Sequence, residues 1–208
     1  MQRSPEWYQA RMGKITASRF ADVMTNPRSK SKDYSDTALS YCYELVGEIL
    51  TGEPTPSFSS MATEWGIEHE PAARKMYEFA SGYTVNEVMF LTHPEYKEVG
   101  ASPDALIDED GYLEIKCPIT MREHVRTLAT GMMPQEHMAQ VQGGLWVSNR
   151  QWCDFVSYHP KFPNGSEIAI IRIDRDESFI TELEIKVLDF SKLIQRTLAR
   201  ITGKEFVE

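Results

Sequence analysis

Cysteine is scarce in this chain: 208 residues contain three, Cys42, Cys117 and Cys153. An odd set without C-x-x-C spacing argues against a disulfide framework and against a structural zinc site. Long apolar runs are missing too. No window approaches the ~18 consecutive apolar residues of a membrane span. The opening MQRSPEWYQARMGK lacks the apolar centre of a signal peptide. The expectation is a soluble protein of the cytoplasm, with no membrane partner. Phosphate-cradling loops are absent, for neither G-x-x-x-x-G-K-[ST] nor G-x-G-x-x-G occurs, and no G-x-S-x-G elbow supports a serine hydrolase. His69-Glu70 lacks the second histidine of a zinc-protease H-E-x-x-H, and the five histidines (His69, His93, His124, His137, His159) have no ligand spacing to one another. Basic residues are outnumbered, 22 Lys and Arg against 31 Asp and Glu, for a net charge of −9. That counts against nucleic acid, whose phosphates are bound by Lys and Arg. Net charge, however, reports solubility and long-range field rather than the potential inside a cleft. An acidic shell around a small basic channel stays open.

What is present is ordinary globular material: 41% hydrophobic and 25% charged residues, enough for one core. Ser4-Pro5 starts a short helix stopped by Gly13, and Thr16 is positioned to cap a second, ASRFADVM. Asp36 opens a longer helix through Leu50, closed by Gly52. Residues 61–81 form another, closed by Gly82. The pattern then turns to short β-rich runs, YTVNEVMFLTH, VGASPDALI and YLEIKCP, read as a three-strand meander with DEDG as its second turn. Helices over 120–130 and 134–148 follow, then strands WCDFVSYHP and EIAIIRID, then a helix from Asp176 to about Ile201. The order predicts a single α/β (α+β) domain over 1–208, with a central mixed sheet flanked by helices.

One constellation carries chemistry. Asp104 precedes the DEDG turn and Glu114 follows it, so in a hairpin centred near Glu109 they lie opposite one another, with Cβ atoms ~5 Å apart if the register sum is even. A one-residue slip would separate them. Glu114 and Lys116, two apart on one strand, share a face, while Ile115 turns its side chain to the core and leaves its backbone carbonyl beside the carboxylates. Two carboxylates and a carbonyl are a hard-oxygen set suited to Mg²⁺ or Mn²⁺. A neighbouring lysine can orient water and offset charge in metal-assisted phosphodiester hydrolysis. Read alone, the same residues also describe a hairpin with surface charges.

Pro103-Asp104…Glu114-x-Lys116 resembles the PD-(D/E)XK nuclease signature. More narrowly, WYQARMGKITAS (7–18), EWGIEHEPAARKMYEFASG (64–82), ASPDAL (101–106), LEIKCP (113–118) and MAQVQGGLWV (138–147) resemble, in order, the blocks of phage lambda-type exonucleases, the YqaJ-like viral recombinases. The resemblance implies a restriction-endonuclease-like core and catalytic roles for Asp104, Glu114, Lys116 and Glu70, the last an additional acidic residue near the metal. Metal ligands would be Asp104, Glu114 and the Ile115 carbonyl. Arg11, Ser18, Ser102 and Arg122 match positions that bind the terminal 5′-phosphate. Gln140 and Gln142 match the AQVQ helix, one glutamine of which borders the active site while the other packs or lies at the surface. The family's bulky strand-separating wedge is replaced by Thr63, with Met61 nearby, and the glycine after the aspartate by Ala105. The implied activity is Mg²⁺-dependent 5′→3′ digestion of one strand of linear double-stranded DNA to leave 3′ overhangs. Mn²⁺ would substitute, and Ca²⁺ would bind without turnover. The implied assembly is a homotrimeric ring working with a single-strand annealing protein of the same phage recombination system. The alternatives are an endonuclease of restriction type on the same fold, and a non-catalytic DNA-end-binding protein.

Overall fold

The computed structural model describes residues 2–56, 59–163 and 165–203. The capping signals act where they stand. The Ser4 side chain accepts from the Trp7 N–H and Pro5 takes the first position of α1 (Pro5–Arg11), where a missing N–H costs nothing. Helix α3 (Asp36–Thr51) starts at Asp36 as expected, capped by Ser35, whose hydroxyl accepts from the Ala38 N–H. Helix α4 (Met61–Ser81) is capped by Ser60, and both α3 and α4 end on glycines in the left-handed region. Helices α5 (Met121–Thr130), α6 (Met138–Ser148) and α7 (Glu177–Thr202) follow. Before α6, residues Gln135–His137 form a 3₁₀ turn where an α-helix was expected, because Pro134 fixes the entry.

Two further sequence expectations change. Thr16 caps no helix. It ends β1 (Ile15–Thr16), which leads into a 3₁₀ turn over Ala17–Arg19 and a short α2 (Phe20–Met24). The meander is also broken into pieces: β2 (Val85–Asn86), β3 (Leu91–Thr92), β4 (Val99–Ala101), β5 (Ala105–Ile107) and β6 (Gly111–Lys116). These divide between two sheets. One has the order β1-β4-β3; the other has the order β2-β5-β6-β7-β8, with β7 (Trp152–Tyr158) and β8 (Ile168–Asp174). The chain crosses from the first sheet to the second at Ser102-Pro103-Asp104, where Pro103 has no N–H for a ladder.

In the larger sheet β6 pairs antiparallel with β5 and parallel with β7. Its odd residues, Leu113 and Ile115, join a core with Ala73 and Tyr77 of α4. Tyr112, on the other face, packs with Val141 and Leu145 of α6. Helix α6 is central, eight of its eleven residues being buried. Two glycines let it sit that close: a Cβ at Gly144 would lie 2.4 Å from the Tyr112 ring, and one at Gly143 would lie 2.2 Å from Phe20. This packing holds Gln140 of α6 over the face that carries Glu114 and Lys116.

Candidate active site

The β5–β6 register pairs Ala105 with Leu113 and Leu106 with Tyr112. One step outward brings Asp104 opposite Glu114, the even register sum on which their pairing depended. Asp104 lies just beyond the strand; its N–H donates to the Leu113 carbonyl at 3.1 Å. Its carboxylate accepts from the Ile115 N–H at 2.6 Å, replacing the next ladder bond. Glu114 is buried; its Oε1 accepts from Lys116 Nζ at 2.7 Å and from Gln140 Nε2 at 2.5 Å. Lys116 also donates to Gln140 Oε1 at 3.2 Å. These groups line a cavity of ≈ 700 Å³ together with Glu70, Ser102, Arg11 and Ser18.

The electrostatics are unbalanced toward negative charge. Burial, then the Glu114 and Glu70 carboxylates, raise Asp104 well above the usual carboxylate range. Burial works against the Lys116 charge, but Glu114 and Asp104 outweigh it and leave its ammonium above its ordinary value. The second oxygen of Glu114 is buried with no hydrogen-bond partner, a costly state for a carboxylate in a low-dielectric site. An orphaned carboxylate oxygen facing a second carboxylate fits a divalent cation. Asp104 and Glu114, with the Ile115 carbonyl, are the residues that would hold it. Among the described residues no three His, Cys, Asp or Glu side chains converge as a ligand cluster. Two carboxylates would leave positions on such a cation for water and substrate. Glu70 lines the cavity and is tied to Arg74, four residues on in the same helix, at 2.7 Å.

A second constellation forms beside this one, and strand pairing makes it. Strand β1 runs parallel to β4 with Thr16 opposite Gly100, so Ser18 and Ser102, each two residues further on, come to the same end. Gly13, in the left-handed region, turns α1 back toward them. Arg11 then donates to Ser102 Oγ at 3.0 Å, to Ser18 Oγ at 3.2 Å and to Thr16 Oγ1 at 3.2 Å. Its guanidinium lies 4.3 Å over the Trp7 ring, and Trp7 Nε1 donates to Ser102 Oγ at 2.9 Å. Among the described residues Arg11 has no carboxylate partner within ion-pair distance. A partly buried guanidinium surrounded by hydroxyls, all able to rotate and donate, is prepared for an anion.

Not every predicted residue joins. Arg122 is exposed on α5 and does not line the cavity. At 100° per residue, the side of α5 turned to the cavity carries Glu123 and Thr127 instead. Gln142 faces away, donating to the Asp174 carbonyl at 2.9 Å and accepting from the Asp176 N–H at 2.9 Å. It fastens α6 to the β8–α7 corner, while Gln140 borders the site. Thr63 lines the cavity mouth; Met61 is 79% exposed and does not. Sequence reasoning missed Trp7, whose spacing of four from Arg11 on one helix was the available signal. It also missed His137, a cavity residue stacked on Phe155 at 5.2 Å, which burial and Lys116 push down to about 4.

The model of the YqaJ-like viral recombinase domain matches residues 6–151. The chain belongs to that family. The matched span contains every residue of both constellations. A solved structure of an alkaline exonuclease from Laribacter hongkongensis is 37% identical, with a TM-score of 0.87 and coverage of 96% of this chain and 97% of that one. A second structure of that exonuclease, in complex with dAMP, is 38% identical over the same coverage with the same TM-score. A phage related exonuclease from Haemophilus somnus 129PT shares the fold at 16% identity and a TM-score of 0.72, over 90% of this chain and 96% of that one. No curated protein matches. This YqaJ-like domain thus has the α+β fold of the alkaline exonucleases. Among its described residues no helix is long and apolar enough to cross a membrane.

Proposed function

We propose that this protein is a Mg²⁺-dependent 5′→3′ exonuclease of a phage or prophage recombination system, digesting one strand of linear double-stranded DNA to leave a 3′ overhang. The observation that carries the polarity is Arg11: a partly buried cation with three hydroxyl partners, beside two carboxylates and a lysine. A terminal 5′-phosphate is a dianion and offers more charge and acceptor oxygens than an internal diester, so the Arg11–Ser18–Ser102 pocket selects 5′ ends. The bond to be cut then falls at Asp104, Glu114 and Lys116. When bound there, Mg²⁺ supplies Lewis-acid charge to the scissile phosphate and lowers the pKa of water. Mn²⁺ is expected to replace it.

The chain's own groups do the rest. Glu114 and Gln140 take two of the three Lys116 N–H donors, leaving the third for the attacking water or a phosphate oxygen. Glu70 adds negative charge near Asp104 and strengthens the hold on a cation. Hydrolysis adds water oxygen to phosphorus, breaks the bond to the 3′ oxygen and returns a proton to it. The products are a nucleotide with a free 3′-hydroxyl and a strand with a new 5′-phosphate. Arg122, exposed on α5 and outside the cavity lining, takes no part in this pocket.

A homotrimeric ring resolves the charge of −9, since only its lumen has to attract phosphate. A single-strand annealing protein is the proposed partner, and the host cytoplasm the location. The test is Mg²⁺-dependent nucleotide release from linear duplexes with 5′-phosphate or 5′-hydroxyl ends. Faster digestion of the phosphorylated end is expected. Equal rates on both ends, or digestion of closed circular DNA, would overturn the assignment.

A further inference from the structure

Arg11 separates two cavities. Beyond the one with the carboxylates, a second of ≈ 610 Å³ opens on its other side, and Arg3, Trp7, Arg11 and Thr63 line both. The guanidinium reaches into each: Ser18 and Ser102 line the first, Thr16 the second. The second cavity has the chemistry of a single-stranded nucleic-acid groove, cations interleaved with aromatic faces. Arg3 and Lys14 supply the cations, Arg19 being paired with Asp22 and Glu44, and Tyr8 presents an exposed ring edge-on to Trp7 at 4.9 Å. Its two acids are already engaged. Glu44 accepts from Arg19 at 2.9 Å, and Glu48 accepts from the Gly13 and Thr55 N–H groups at 2.8 and 2.9 Å. Arg3 has no carboxylate within ion-pair distance among the described residues. Lys14 spends one donor on the Lys97 carbonyl and has no carboxylate within ion-pair distance among the described residues.

We propose that this second cavity is a subsite for the nucleotide on the 5′ side of the phosphate held at Arg11. The inference rests on the assignment of that phosphate to Arg11. An end with a 5′-monophosphate stops there and loses one mononucleotide. An end with a 5′-hydroxyl offers no terminal phosphate, so its first internucleotide diester occupies Arg11 and the terminal nucleoside enters the second cavity. Water then adds to the second internucleotide phosphorus and the bond to its 3′ oxygen breaks. The released product is a dinucleoside monophosphate with hydroxyls at both ends, leaving a 5′-phosphorylated strand. After that single cut, digestion continues by mononucleotides.

The experiment is mass spectrometry of the first products from otherwise identical duplexes. Wild type should give a mononucleotide from the 5′-phosphate end and a dinucleoside monophosphate from the 5′-hydroxyl end. Lys14→Glu and, separately, Tyr8→Ala should each slow the dinucleoside product about tenfold, the effect of one lost contact of ~1.4 kcal/mol, with mononucleotide release from the phosphorylated end unchanged. A free nucleoside as the first product of the 5′-hydroxyl end would overturn the subsite, even if phosphorylated ends are still digested faster. Equal slowing of both products by both variants would overturn it too. Equal wild-type rates on the two ends would instead remove the underlying assignment of Arg11.

Discussion

Asp104→Asn should make the metal-free protein more stable while abolishing hydrolysis. Asp104 sits opposite buried Glu114, with Glu70 adding to the negative field, and its carboxyl is held well above its ordinary range by burial and those two charges. Asparagine keeps an oxygen to accept from the Ile115 N–H, so the 2.6 Å backbone contact survives. Only the unbalanced charge goes. Relief of such active-site strain amounts to about 1–2 kcal/mol. For a chain of this size that is a rise in Tm of about 2–8 °C. The sign also fixes a pH dependence. A carboxyl raised in the folded state costs nothing below its unfolded pKa of ~3.9, and its cost grows as pH rises through the folded value. The gain of the variant should therefore be largest at pH 8 and shrink toward pH 4. Thermal melts in chelator, with and without added Mg²⁺, read all of this. Wild type should gain Tm on Mg²⁺ addition, and the variant should not. If Asp104→Asn melts below wild type in chelator at pH 8, Asp104 is a structural anchor and the charge argument is wrong.

Arg11→Ala should slow digestion of 5′-phosphorylated duplex roughly thirty- to over a hundredfold, from ~2–3 kcal/mol of lost charge-assisted contact. Arg122→Ala should cost less, because it stands outside the pocket; a steady-state comparison on one substrate ranks the two. Replacing Mg²⁺ with Ca²⁺ should preserve DNA binding in a gel-shift assay and stop nucleotide release, since the larger ion's loose shell misplaces the water. Sedimentation without DNA should report about three times 23.8 kDa; a clean monomer at micromolar concentration would leave the negative net charge unexplained. Gly144→Ala should lose about 1–3 kcal/mol in a urea melt, because the new Cβ meets the Tyr112 ring.

The sequence by itself determined most of the elements and the acidic strand face. Caps and glycines set the helix ends because each satisfies or releases local backbone groups. The DEDG turn placed Asp104 and Glu114 near one another but left a one-residue slip open; the β5–β6 pairing of the folded chain decides the register. Glu114 and Lys116 share a face by strand periodicity alone. The cluster of Arg11, Ser18 and Ser102 was legible only through the family's blocks. Nothing local joins residues 11, 18 and 102; the parallel pairing of β1 with β4 does, and that contact lies more than eighty positions apart in the chain. The same distance hid the break in the meander, because which sheet a three-residue strand joins depends on its partners and not on its own propensity. Tertiary packing also separated Gln140 from Gln142 and removed Arg122 from the pocket. A helix of known length still has a free rotation about its axis, and here its neighbours set that angle: Tyr112 against Gly144 for α6, and the sheet for α5.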